Sequence, residues 1–460
     1  MNPLEIGQRL VERARKLGAD EAEAFVQKAA TVQIEVKDRQ AETVTYKDRN
    51  GYGLRVLLDG RMGFAASNDF DSEASDDLIR RLIANTRHHS PDEHNVLPEA
   101  DGGIRPEVIT PPVDETLMSI PIEKKIEKAI SIEIAARQTD PRIQQTAWLL
   151  YGDESREYAI VSSRGISGQR RHTELYGLAI AMAAECGPDG HPDQATAQTG
   201  MCMEVKTTFA ALDPVAIGRK AAGFALRMLG AEDGQTDEME AVFPSETGSS
   251  FVDLVAGMVS AELVQKKKSL FSDRFGEMIA SETVTMIDDG RLEKGLASMA
   301  VDDEGIPTST REIIRNGRLV GLLYDSYAAH RGQTRSTGNA IRDSYASRPS
   351  IGPTNFYLQK GGISRDRLIA SVPKGIYITE VSGLHASVDQ VTGDFSIPCK
   401  GLLIDHGEIA RPVSGIMVSG NIFDFFSNIT GVADDLTWEV DENVIGVPTF
   451  KIGGVKISGK

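Results

Sequence analysis

Cysteine is scarce. Cys186, Cys202 and Cys399 are the three in 460 residues, and their odd number and wide spacing exclude a disulfide framework and a cysteine-rich zinc site. Reduced thiols in a cytoplasm fit that usage. No apolar run approaches the roughly 20 residues needed to span a bilayer, and the charged start "MNPLEIGQRLVERARKLG" lacks the apolar centre of a signal peptide. The expected location is therefore cytoplasmic, where the sequon Asn428-Ile429-Thr430 has no meaning. Positive charge is also short: 50 Lys and Arg face 67 Asp and Glu, for a formal charge of −17. Nucleic acid and anionic membrane would be repelled by most of such a surface.

Catalytic signatures are equally thin. There is no G-x-S-x-G elbow, no H-E-x-x-H pair on one helical face, and no G-x-G-x-x-G between a strand and a helix. The one histidine cluster, His88, His89 and His94, sits where a helix ends and imidazoles complement its dipole. His330, His385 and His406 are scattered, and only folding would bring them to a metal. His191-Pro192-Asp193, with glycine and glutamine around it, reads as a surface loop. Asp288-Asp289 and Asp302-Asp303-Glu304 precede glycines. Turn chemistry is favoured there over an acid/base or hard-cation site, because the ligand alternation of a calcium loop is missing.

What is present is core material, 40% apolar residues with 25% charged, in a chain long enough for two or three domains. Ile6, Leu10, Ala14 and Leu17 mark a helix ending at Gly18. Alternation predicts a strand over Thr31–Val36, and Asp59-Gly60 predicts a hairpin turn. Helices are expected over about 72–87, 122–137 and from Asp213-Pro214 to Gly230. The Pro/Gly-rich residues 90–115 and the polar "AEDGQTDEME" read as linkers. The result is an α+β chain with antiparallel sheets, flanking helices and a β-rich C-terminal domain, divided as 1–95, 115–232 and 238–460.

The stretch "SSFVDLVAGMVSAELVQKKKSLF" reads as one amphipathic helix. Phe251, Leu254, Val255, Met258, Val259 and Leu263 form its buried stripe. Ser250 is the expected N-cap with Asp253 in a capping box, and Lys266, Lys267 and Lys268 suit its far end.

Five segments in order, "GEMIASETVTMIDDG", "VDDEGIPTSTREIIRNGRLVGLLYDSYAAHR", "STGNA", "VTGDFSIPCKGLLIDHGEIARPV" and "GVPTFKIGGVKISG", give this chain its resemblance to the TldD/PmbA family, peptidases once described as modulators of DNA gyrase. The acidic surface lends the gyrase link no support. In that family, catalytic TldD-type members carry H-E-x-x-x-H on the helix just described and a cysteine further on, together binding zinc. Counting back from "SLFSDRFGE", those positions are Val252, Asp253 and Gly257. "DDLTWEVDENVIGVPTFKIGGVKISG" has no cysteine, and Cys399 lies in a different segment. A hydrolytic zinc requires three protein ligands and an open water position.

The resemblance thus implies a two-lobed PmbA/TldE-type subunit with no catalytic or metal-binding residue of its own. Its expected partner is a zinc-bearing TldD-type subunit or a second copy of itself. An extended peptide would add to strand edges near Gly338 and Asn339 and near Thr392, Gly393, Asp394, Phe395 and Ser396, where glycines permit close approach but equally suit bulges or bends. Two alternatives remain: a self-sufficient metallopeptidase with a non-standard metal site, and a homodimeric peptide-binding module.

Overall fold

A computed structural model describes residues 2–100, 110–187, 191–389 and 391–459, with backbone alone for His385 and Ala386. The expected linker therefore lies partly outside the described residues, at 101–109. The fold is mixed α+β.

The first lobe contains α1 (Pro3–Lys16), β1 (Glu21–Lys37), β2 (Gln40–Asp48), β3 (Gly51–Leu58), β4 (Arg61–Ser67), α2 (Ser72–Thr86), α3 (Ile122–Thr139), β5 (Ile143–Ser162), β6 (Ser167–Ala183), β7 (Gln198–Lys206) and α4 (Pro214–Leu226). Local signals account for the helices: Asn2 caps α1 in a capping box, Gly18 follows at φ 107°, and Asp213 caps α4 with Pro214 in its first turn. Asp59 and Gly60, at φ 46° and 74°, make the predicted turn between β3 and β4.

β1 is far longer than the predicted Thr31–Val36. Its first half pairs with β3, its second half with β2, and most of its length with β5. The segments on either side of residues 96–114 consequently share one sheet, ordered β4-β3-β1-β5-β6-β7 with β2 on β1. Strand alternation divides its two faces. Ala22, Ala24, Val26, Val32, Ile34 and Val36 lie under the helices, whereas Glu23, Phe25 and Gln27 point the other way, toward the second lobe.

That lobe begins with β8 (Glu232–Asp233), β9 (Asp237–Phe243), α5 (Ser245–Met258), α6 (Ala261–Gln265), β10 (Met286–Asp289), β11 (Thr310–Arg315), β12 (Arg318–Leu319) and α7 (Ser326–Arg331). It continues through β13 (Ala340–Ile341), β14 (Ser350–Ile351), β15 (Asn355–Leu358), α8 (Arg365–Ala370), β16 (Lys374–Val381) and α9 (Leu384–Ser387). The last elements are β17 (Asp394–Asp405), β18 (Glu408–Asn421), α10 (Ile422–Ser427), β19 (Ile429–Val432), β20 (Thr437–Val440), β21 (Val444–Val447) and β22 (Phe450–Ser458). Because β22 pairs with both β9 and β18, the strands β9, β16, β17, β18 and β22 close on themselves. A second sheet runs β12-β11-β10-β15-β21-β20. Pairing is mainly antiparallel; β9–β16, β15–β21 and β8–β18 are the parallel exceptions.

Three local expectations are corrected. The helix begins at Ser245 after Pro244, so Ser250 and Asp253 lie in its interior and make no cap. It also stops at Met258, because Val259 and Ala261 turn to exchange main-chain hydrogen bonds with Leu323, and α6 starts afresh. Asp288 and Asp289 sit in a buried strand rather than a turn. Asp302–Glu304 do form a turn, closed by Gly305 at φ 80°, but it too is buried.

The lobes meet through a buried ionic knot. Arg55 on β3 donates to both oxygens of Glu23, its cross-strand partner on β1, and reaches Glu304 Oε1 at 2.8 Å. Arg342 also binds Glu23, while Asp303 accepts from Arg170 and from the main chain of Arg342. Gly51 fits beneath Tyr345, whose ring would lie 2.3 Å from any added Cβ.

Candidate functional site

α5 is almost wholly enclosed. Phe251 stacks on Phe425 with centroids 4.0 Å apart, and Phe243 meets Phe251 edge-on. The residues left unburied are Glu246, Ser249, Ser250, Asp253 and Gly257, a single stripe at helical spacing. This stripe faces the β20–β21 hairpin. Asn443, in the hairpin turn, donates to Asp253 Oδ1 at 2.8 Å, and a cleft of about 40 Å³ is lined by Ser249, Ser250, Asp253, Glu439, Asp441 and Asn443 with Ile445.

The inner end of the cleft is closed by the first lobe. Lys220 on α4 lies 3.4 Å from Glu246, and Ser245 Oγ donates to Glu439 at 3.0 Å. Burial, and then the nearby Glu246, holds the Glu439 carboxyl above the usual carboxylate range, with Lys220 and Ser245 opposing. Behind it, burial pushes the Cys202 thiol up to about 12, so it stays protonated at neutral pH and is a poor soft ligand. Cys399 is pushed up to about 12 for the same reason.

These groups do not fit a hydrolytic zinc. Val252 is a fully buried hydrocarbon, Asp253 is engaged by Asn443, and Gly257 has no side chain. Zinc of that kind is held by imidazole, thiolate and carboxylate in a set of three, and the stripe supplies no imidazole or thiolate, just the carboxylates of Glu246, paired with Lys220, and Asp253. Among the described residues, no group of three or more His, Cys, Asp or Glu is placed to hold a metal.

The other sequence candidates fall in two separate places. Asn339 is buried: its amide donates to Asp288 Oδ2 at 2.7 Å and to the Gly352 carbonyl, and its oxygen accepts from Thr337. Gly338 adopts φ 76°, with the Pro307 carbonyl 2.2 Å from where a Cβ would stand. Thr392 and Gly393 form a turn organised by Asp389, and Asp394 accepts from Asn421. Phe395 joins the aromatic cluster around α5 and walls a cavity of about 250 Å³ with Ser419, Gly420, Asn421 and Asp424. Ser396 bonds Ser419 across β17 and β18.

Of the histidines, His89 binds the Met62 carbonyl and His406 lies exposed in the turn between β17 and β18. The side chain of His385 is outside the described set, and His94 and His330 approach one another. Asn443, Glu439 and Lys220 escape sequence reasoning because each becomes relevant only when distant segments meet; "DEN" at 441–443 reads as no more than turn chemistry.

Comparison with known proteins agrees with this architecture. The first, central and C-terminal domains described as those of the PmbA/TldA metallopeptidases match residues 22–86, 115–229 and 236–459. Metalloprotease PmbA of Escherichia coli O157:H7 is 26% identical, over 95% of this chain and 93% of its own. A metalloprotease TldD homolog of Haemophilus influenzae is 27% identical, over 89% and 86%. The crystal structure of TldE from Thermococcus kodakarensis superposes with a TM-score of 0.87 at 22% identity, covering 99% of this chain and all of its own (100%). A Thermotoga maritima structure described as a candidate modulator of a DNA gyrase gives 0.87 at 23%, covering 99% of each chain. With the three domains matched in order, the chain belongs to the PmbA/TldA metallopeptidase family.

Proposed function

We propose that this chain is a PmbA/TldE-type subunit of a cytoplasmic two-part metallopeptidase, pairing with a zinc-bearing TldD-type subunit and helping to enclose the peptide. The observation that carries this reading is the unburied stripe of α5. It presents two serines, a glycine and two engaged carboxylates, Glu246 with Lys220 and Asp253 with Asn443, and no nitrogen ligand; without three ligands no bound water is activated. Peptide contact is assigned to main chain near Thr392, Gly393, Asp394, Phe395 and Ser396, where Phe395 offers an apolar wall beside the 250 Å³ cavity. Gly338 and the buried Asn339 support the neighbouring strand rather than touching the peptide directly.

Peptide hydrolysis should be assayed with this chain alone, a TldD homologue alone and their mixture. Hydrolysis restricted to the mixture is the expected result. Turnover by this chain alone would overturn the reading.

A further inference from the structure

Two histidines separated by 236 positions meet at the junction of the lobes, with Nδ1 of His94 and Nδ1 of His330 3.4 Å apart and ring centroids 5.5 Å apart. That separation is long for an N–H···N hydrogen bond, which is strongest near 3 Å. It matches two metal–nitrogen bonds of about 2.05 Å meeting at a tetrahedral angle, which place their nitrogens about 3.4 Å apart.

The main chain that carries each imidazole is held in position before any ligand arrives. His94 sits in a turn where its main-chain N–H donates to Asp92 Oδ1, and that turn is fixed to Gly60 by Asp92 N–H and the Asn95 amide. His330 is in the last turn of α7, whose first turn is capped by Asp325. Tyr327 of α7 donates to Asp92 Oδ2 at 2.8 Å, so a hydrogen bond beside the pair joins the same two segments. A ligand pair already in register loses little freedom on binding.

We propose that His94 and His330 form an interlobe site for a late first-row divalent ion such as Zn²⁺ or Ni²⁺, bound between their Nδ1 atoms with water in the remaining positions. Imidazole suits these ions. Two protein ligands fall short of the three a hydrolytic centre uses, so the ion's role is to tie the lobes together. The neighbouring 340 Å³ cavity, lined by Asp92, Glu262, Glu304, Asp325 and Tyr327 among others, shares no lining residue with the α5 cleft.

The test uses the full chain stripped with chelator and dialysed against ZnCl₂, with Cu²⁺ loading for electron paramagnetic resonance. One ion per chain and nitrogen couplings from two imidazoles are expected. His94→Gln and His330→Gln should each weaken binding by about 100-fold, the upper end of what losing even an outer-shell partner costs. His89→Ala and His406→Ala should bind as the unaltered chain does. Absence of binding at micromolar free ion, or unchanged affinity in His94→Gln and His330→Gln, would overturn the proposal. The inference does not rest on the subunit reading: ion binding is read on this chain alone, and hydrolysis on the mixture.

Discussion

Arg55→Met removes the cation at the centre of the interlobe knot while keeping most of the side-chain volume. Arg55 is 6% exposed, and Glu23 and Glu304 are each 1% exposed, so neither carboxylate can recover its lost partner from solvent. Arg342 still serves Glu23. Glu304 keeps the Ser326 N–H, which reaches Oε2 at 2.9 Å, and the more distant charge of Arg342. Stripping one partner from a buried pair costs about 3–5 kcal/mol, against a total stability of roughly 5–15 kcal/mol for a typical domain.

The cost also has a pH signature. In the intact protein burial pushes the Glu304 carboxyl upward, but Arg55 and Ser326 outweigh it and hold the group below the usual range. That contribution is present above the unfolded value and lost as pH falls through the folded one. Without Arg55, burial dominates and the folded value rises. The deficit is then greatest at pH 8 and shrinks toward pH 5 as Glu304 takes up a proton.

Urea unfolding can follow each lobe separately, since Trp148 lies on β5 and Trp438 on β20. Trp148→Phe isolates the second lobe and Trp438→Phe the first. The two transitions should coincide with Arg55 present and separate in Arg55→Met. Adding Glu304→Gln should recover roughly 2 kcal/mol, within the range of coupling between contacting residues. A loss below about 1 kcal/mol for Arg55→Met, or simple additivity in the double variant, would refute the argument that an orphaned buried charge sets the cost.

Gly257→Ala should stabilise by about 0.5–1 kcal/mol, because no atom lies within 4 Å of its added Cβ and alanine is the better helix former. Val252→His should cost about 3 kcal/mol or more by burying an imidazole in a fully enclosed apolar position; thermal midpoints check both. Burial pushes the Asp288 carboxyl up to about 6 despite hydrogen bonds from Asn339 and Thr354, so it adds stability as pH falls from about 6 toward its unfolded value near 4. Asp288→Asn should flatten that rise, measured as urea midpoints at pH 4.5 and 7.5. Gly338→Ala should lose about 2 kcal/mol or more, since it forces a side chain into left-handed backbone and against the Pro307 carbonyl; a midpoint shift within 1 °C would count against that packing.

Much of the first lobe was legible locally. The helix-starting Asp213-Pro214, the terminating Gly18 and the Asp59-Gly60 turn act through neighbouring backbone alone, so the same residues predict the same geometry in any context. The helix containing Phe251 was foreseen by its stripe, but its ends were not. Its start is set by the strand leading into Pro244 and its stop by Leu323, some sixty positions on. The acidic runs mislead for a related reason. Asp288 beside a glycine resembles turn chemistry until Asn339 and Thr354, more than fifty residues away, bring donors to it.

By itself the sequence determined the α+β character, the family likeness and the absence of histidine at Val252, Asp253 and Gly257, because periodicity, order of segments and side-chain identity are properties of the chain. The tertiary structure decided which carboxylates are buried, that one sheet spans the first two segments, that Asn443 engages Asp253, and that His94 meets His330. Those outcomes depend on contacts between remote residues, whose free energy exists only after the closure of long loops has brought them together.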